Sequence, residues 1–172
     1  MKIKNLIMGG LLTALAIILP IFPGSYFRVV IPPFTATLAS HVPVMLAMFI
    51  NPTLAVVTAL GSAVGFGFAT GNIVVALRAA MHIFFAFAGA KMVEKSYPVY
   101  AIILVTMFIH GLSEALVVLP FGFDLQTAGV IVGVGTMLHH IADSLISLAV
   151  YGSLVKAKIL KPTLIMRKQT AA

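Results

Sequence analysis

Residues 74–87 read VVALRAAMHIFFAF, a run that is apolar throughout except for Arg78 and, one helical turn later, His82. The oily stretch extends from Ile73 to Ala90, close to the length a helix needs to cross a bilayer. The rest of the chain has the same character. Of its 172 residues, 61% are hydrophobic and 9% charged, and the mean hydropathy is +1.14. One soluble core of this size cannot hide so much apolar surface, so lipid is the solvent for most of it. The net charge of +7 therefore does not point to nucleic acid, because the cations sit at chain ends and in short loops. Cysteine is absent, and with it disulfides, thiolate metal sites and a cysteine nucleophile.

Stretches near 18 residues bounded by Gly, Pro or charge predict six spans, over 4–22, 34–50, 53–70, 73–90, 98–120 and 127–155. The second and third meet in a tight turn at Asn51-Pro52. Lys2 and Lys4 precede the first span, Lys91 and Lys95 separate the fourth from the fifth, and Lys156, Lys158, Lys161, Arg167 and Lys168 follow the sixth. These cations share one side if the number of spans is even, which makes both termini cytoplasmic. The expected fold class is an all-α membrane protein with six transmembrane helices, one integral-membrane domain over residues 1–172. The start MKIKNL followed by an apolar run to Phe22 has the outline of a signal peptide, yet FPGSYFR lacks a small-x-small cleavage pattern. It reads as a retained first helix.

Gly10 with Ala14, Gly61 with Gly65 and Gly129 with Gly133 are small residues four apart, which let helix backbones approach closely in lipid. No internal repeat is visible, against transporter designs with a site between two related halves. The loop 21–33, IFPGSYFRVVIPP, is too apolar for a solvated connection. It reads either as an interfacial segment with Phe22, Tyr26 and Phe27 in the aromatic belt, or as a lid over a site that opens outward.

Ionisable residues inside spans are costly and are functional suspects. Arg78 and His82 are four apart on the fourth span, and His110 and Glu114 on the fifth. On the sixth, His139 and His140 precede Asp143 by four and three. Each group stacks on one helix face. At about 1.5 Å per residue, Arg78 lies about 9 Å below the outer surface, with Glu114 at similar depth and the paired histidines near mid-membrane. Arg78, His82, His110, Glu114 and one of the paired histidines thus converge on one outward-facing pocket. Imidazole and carboxylate also suit a metal, so a metal permease or an intramembrane metalloenzyme is the alternative of a different class. A fixed cation at Arg78 opposes that reading, and no H-E-x-x-H occurs. Ser113 in HGLSEA lacks the strand–turn–helix of a nucleophile elbow. No Gly-Lys-Ser/Thr is present, so the chain is not expected to hydrolyse ATP: either it works passively or a partner drives it. A small organic anion fits best, with the Arg78 fork on a carboxylate and Phe27, Phe84 or Phe85 as a stacking wall.

These residues bear a family resemblance. The six-span plan with an apolar first outer loop resembles the substrate-binding S component of an energy-coupling factor (ECF) vitamin transporter. SHVPVMLAMFINP, residues 40–52, is similar to that family's second-helix motif, and Gly10 and Ala14 match its small residues four apart, although Gly10 replaces the usual Ala. Together with VVALRAAMHIFFAFAGA, the motif looks most like the niacin type. The resemblance implies capture of nicotinate in the outer half and partnership with a transmembrane coupling subunit and two ATPase subunits. It also implies the plasma membrane of a prokaryote, no enzymatic activity and no cofactor. Other vitamins, such as pantothenate or pyridoxine, remain alternatives on the same scaffold. Arg78 is expected to hold the carboxylate, with His82, His110, Glu114 and His140 completing the polar shell. Tyr26 and Phe27 are expected to close above, and Gly10 and Ala14 to face the coupling subunit.

Overall fold

The computed structural model of the protein describes residues 3–21 and 28–160. Helix α1 spans Ile3–Ile21, and strands β1 (Arg28–Ile31) and β2 (Phe34–Thr37) form an antiparallel hairpin. Then follow α2 (Val42–Met48), α3 (Pro52–Thr70), α4 (Ile73–Ala80), α5 (His82–Glu94) and α6 (Val99–Val118). A π-helical segment, Thr127–Val134, runs directly into α7 (Gly135–Lys156). With α4 and α5 counted as one interrupted helix, the described residues form an all-α bundle of six helices. Five of them are long and apolar enough to cross a membrane.

The expected second span, 34–50, is corrected. Its first four residues are β2 and only Val42–Met48 are helical, about 10 Å of rise and too short to cross. Phe34-Thr35-Ala36-Thr37 alternates with period two, so the buried side chains are Phe34 and Ala36, and Pro43 falls in the first turn of α2, where its missing N–H costs nothing. Residues 43–48 are all buried, so α2 has no lipid face and threads the middle of the bundle. Non-helical backbone at membrane depth is tolerated only where protein surrounds it. Here the side chain of Asp143 on α7 accepts the N–H of Ala39 (2.7 Å) and of His41 (3.0 Å), supplying what the first turn of a short helix lacks.

Sequence signals account for the other helix ends. Asn51 caps α3 by accepting from Leu54 N (2.9 Å), with Pro52 in the first turn, and α3 ends at Gly71 in the left-handed conformation (φ +59°). Asn72 caps α4 in the same way, accepting from Val74 N at 2.9 Å. Before the final helix, the backbone N–H and then the hydroxyl of Thr127 bond Asp124 and hold its carboxyl below the usual range.

Packing of α1 on α3 uses the Gly61 and Gly65 pair. A Cβ at Gly65 would lie 2.6 Å from the carbonyl oxygen of Ile17, so only glycine permits this approach. Leu104, Phe108, Leu112 and Leu116 form an exposed stripe four apart on α6, the pattern of a lipid face. The core is centred on α2, where Val44, Met45, Leu46 and Met48 pack with Leu12, Phe85, Ile102 and Tyr151. Lys4 Nζ donates to the carbonyl of Ile159 (2.6 Å), so the two ends of the described chain meet at one end of the bundle, opposite the hairpin.

Candidate functional site

Arg78 sits near the end of α4, where the helix is interrupted at Met81, and the residue is buried, 3% exposed. Glu114 on α6 reaches it across 36 residues of sequence: Nε and Nη2 donate to the same oxygen, Oε2, at 3.0 and 2.6 Å. Nη1 donates to the carbonyl of Pro33 in the hairpin turn (2.7 Å), and Thr136 on α7 also donates to Oε2 (2.7 Å). One carboxylate oxygen therefore ties α4, α6 and α7 together, and the guanidinium ties them to the hairpin. The guanidinium expected to hold a ligand carboxylate is thus engaged on one side by an acidic side chain of its own chain.

The other oxygen, Oε1, faces histidines, with His110 Nε2 at 3.2 Å and His82 Nε2 at 3.5 Å. The expected His82, His110 and His140 are all buried and connected, since His110 Nδ1 and His140 Nδ1 are 3.0 Å apart. The sequence reading missed His41. It occupies the centre of the cluster, with Nδ1 2.9 Å from Asp143 Oδ2 and Nε2 3.1 Å from His82 Nε2. All five histidines of the chain belong to this one assembly, because His139 approaches Ser40 (3.4 Å) and Asp143 (3.5 Å). The available signal was that His41 follows Ser40 and precedes Pro43, which marks a helix start instead of a helix interior.

A cavity of about 20 Å³ lies among Phe34, His41, Arg78, His82, Glu114, Thr136 and His139. Such a space holds about one water. β2 roofs it through Phe34 and Ala36, whereas β1 is exposed. Among the described residues the closing layer is β2, the strand that follows the expected lid 21–33. His139, not His140, lines the cavity; His140 lies behind His110, its Nε2 3.0 Å from Thr106. Of the expected stacking residues, Phe84 is exposed and Phe85 is fully buried against the histidine rings, while Phe34 takes the position 5.5 Å from the Arg78 guanidinium. Tyr26 and Phe27 lie outside the described residues. Gly10 and Ala14 are on the exposed face of α1, away from this site.

The niacin transporter NiaX of Lactococcus lactis subsp. cremoris (strain MG1363) is 33% identical to this chain over 173 residues, spanning 91% of this chain and 77% of that protein. The chain belongs to the S components of energy-coupling factor vitamin transporters. No protein-family model and no solved structure matches it. As an S component it is a multi-pass protein of a prokaryotic plasma membrane that serves vitamin uptake by binding, not by catalysis. The buried Arg78–Glu114 assembly under the hairpin is the polar centre of this S component.

Proposed function

We propose that this S component captures niacin as its carboxylate, nicotinate, in the site beneath the hairpin and hands it to an ATP-driven importer. The observation that carries the reading is the guanidinium of Arg78 held inside the bundle next to a cavity, in a chain whose relative is a niacin transporter. Glu114 and Pro33 engage three of its five N–H groups, which leaves two for an incoming carboxylate. A cavity of about 20 Å³ does not admit a pyridine ring, so entry requires the hairpin to lift and Phe34 to move off Gly135, whose Cβ position lies 3.1 Å from that ring. Phe34, His139 and His41 then flank the pyridine. Isothermal calorimetry of the purified protein against a panel of vitamins tests this. Saturable binding of nicotinate, with no binding of pantothenate or pyridoxine, is expected; preference for another vitamin would replace the substrate.

Both termini are proposed to be cytoplasmic, supported by the side shared by most Lys and Arg and by the contact of Lys4 with Ile159. Gly10 and Ala14 are proposed to dock on a transmembrane coupling subunit served by two ATPase subunits. Their support is an exposed small-residue strip on α1, with nothing within 4 Å of a Cβ built at Gly10. Gly10→Leu and Ala14→Leu are expected to leave nicotinate affinity unchanged while stopping ATP-driven uptake into vesicles. Loss of binding in either variant would place these residues in the fold instead.

A further inference from the structure

We infer that the S component holds a zinc-class divalent cation between His41 Nε2, His82 Nε2, His110 Nε2 and Glu114 Oε1. The hydrogen positions follow from the surrounding partners. The hydroxyl of Thr106 has one proton, which it donates to the carbonyl of Ile102 at 2.7 Å. His140 Nε2, 3.0 Å from the same hydroxyl, must then be the donor to it, and a neutral His140 presents a lone pair at Nδ1. His110 Nδ1, 3.0 Å away, therefore carries its proton there, and His110 Nε2 aims a lone pair at the carboxylate oxygen Oε1 across 3.2 Å. By the same logic His41 Nδ1–H donates to Asp143, so His41 Nε2 also carries a lone pair. Two acceptor atoms, His41 Nε2 and Glu114 Oε1, thus flank His82 Nε2, which can offer one proton at most, and the same Oε1 also faces the lone pair of His110 Nε2. A cation in their midst resolves the surplus.

The spacing fits a metal ion. Zinc–ligand bonds of about 2.0–2.1 Å in a tetrahedron place neighbouring ligand atoms about 3.3 Å apart. Three of the six separations in such a site are 3.1 Å for His41–His82, 3.5 Å for His82–Glu114 and 3.2 Å for His110–Glu114. The nitrogen-bearing side chains of the three histidines come within 4.8 Å of one another and all are buried. Each ring is steered from behind through its other nitrogen: His41 by Asp143, His82 by Ser62 (3.3 Å) and His110 by His140. Such outer partners orient metal-binding imidazoles. The objection from Arg78 loses its force, because the guanidinium is bound to Oε2, the oxygen that faces away from the histidines.

Charge selects an ion over an extra proton, a step that rests on the niacin reading. Arg78 contributes one positive charge to the cluster, and Glu114 and Asp143 two negative ones. A proton on a histidine would cancel the excess and leave nothing for an anionic vitamin. A divalent ion leaves one positive charge, which a monocarboxylate completes. Ion and nicotinate should then bind cooperatively.

The test uses the full chain in lipid nanodiscs, purified through a histidine-free tag, stripped with chelator and titrated with Co²⁺. One equivalent with the visible absorption of tetrahedral cobalt is expected, displaced by Zn²⁺. His110→Gln and His82→Gln, each checked for helicity and monodispersity, should weaken it about a hundredfold or more. No cobalt binding by the wild-type protein, or equal binding by both variants, would overturn the site. Histidine NMR showing an imidazolium at the cluster in the metal-free, nicotinate-bound protein would do so as well. Calorimetry of nicotinate on stripped and cobalt-loaded protein separates the two readings. Tighter binding to the loaded form supports the coupling, and equal affinity overturns it. Cobalt bound with no nicotinate affinity in either form would leave the ion site standing and remove the niacin assignment.

Discussion

Arg78→Ala is expected to abolish measurable nicotinate binding and, in the same variant, to lower the stability of the bundle. Removing the guanidinium leaves Glu114 Oε2 with Thr136 as its remaining hydroxyl partner, in a site where the carboxylate is almost wholly shielded from water. Breaking one side of a buried ion pair costs about 3–5 kcal/mol. The lost contact to the ligand is worth about 2–5 kcal/mol of binding, roughly thirty-fold to several-thousand-fold in affinity. The two losses are separable. Arg78→Met combined with Glu114→Gln removes both charges together, so thermal unfolding in detergent should recover most of the stability, while calorimetry should still show no nicotinate binding. If the double variant bound nicotinate like the wild type, the ion pair would be purely structural and the ligand would lie elsewhere.

Asp143→Ala should produce the second large effect, this time on folding. Its carboxylate accepts the backbone N–H of Ala39 and of His41 and the Nδ1–H of His41. At about 1–3 kcal/mol for each buried donor left without a partner, the expected loss is on the order of several kcal/mol, seen as a sharply lower unfolding temperature. The exposed pair Lys91–Glu94 is the comparison, with side chains 47% and 48% exposed and a separation of 2.8 Å. Breaking it by Glu94→Ala should change stability by no more than about 1 kcal/mol. Similar effects of the two substitutions would show that Asp143 does not hold the entry to α2.

Asp143 also illustrates how much of the site can be read from residues alone. Its spacing to His139 and His140 identifies a polar helix face, and the same reasoning pairs Arg78 with His82 and His110 with Glu114. All of these residues do meet. What the pattern could not reveal is the use of Asp143, because its partners are backbone groups 102 and 104 residues earlier in the chain. His41 escaped for a related reason. Phe34 to Ile50 is apolar enough to pass for a helix, and the short period-two stretch Phe34–Thr37 is a weak signal against it. The choice between His139 and His140 depends on a rotation of α7 of about 100°, one residue's worth, which no local spacing encodes.

Composition and patterning were enough to assign the chain to the membrane, to outline five of its crossing helices and to mark which faces carry charge. Those properties follow from local chemistry: apolar length, helix periodicity, caps and cation placement. Three-dimensional packing alone divided the two oxygens of Glu114 between a guanidinium and a group of histidines, and wrapped α2 in protein so that a non-helical entry survives at membrane depth. The reason is that contacts between helices depend on their rotation and axial offset. In lipid these are set by close backbone approach at sites such as Gly61 and Gly65, and by a few buried polar bonds between residues far apart along the chain.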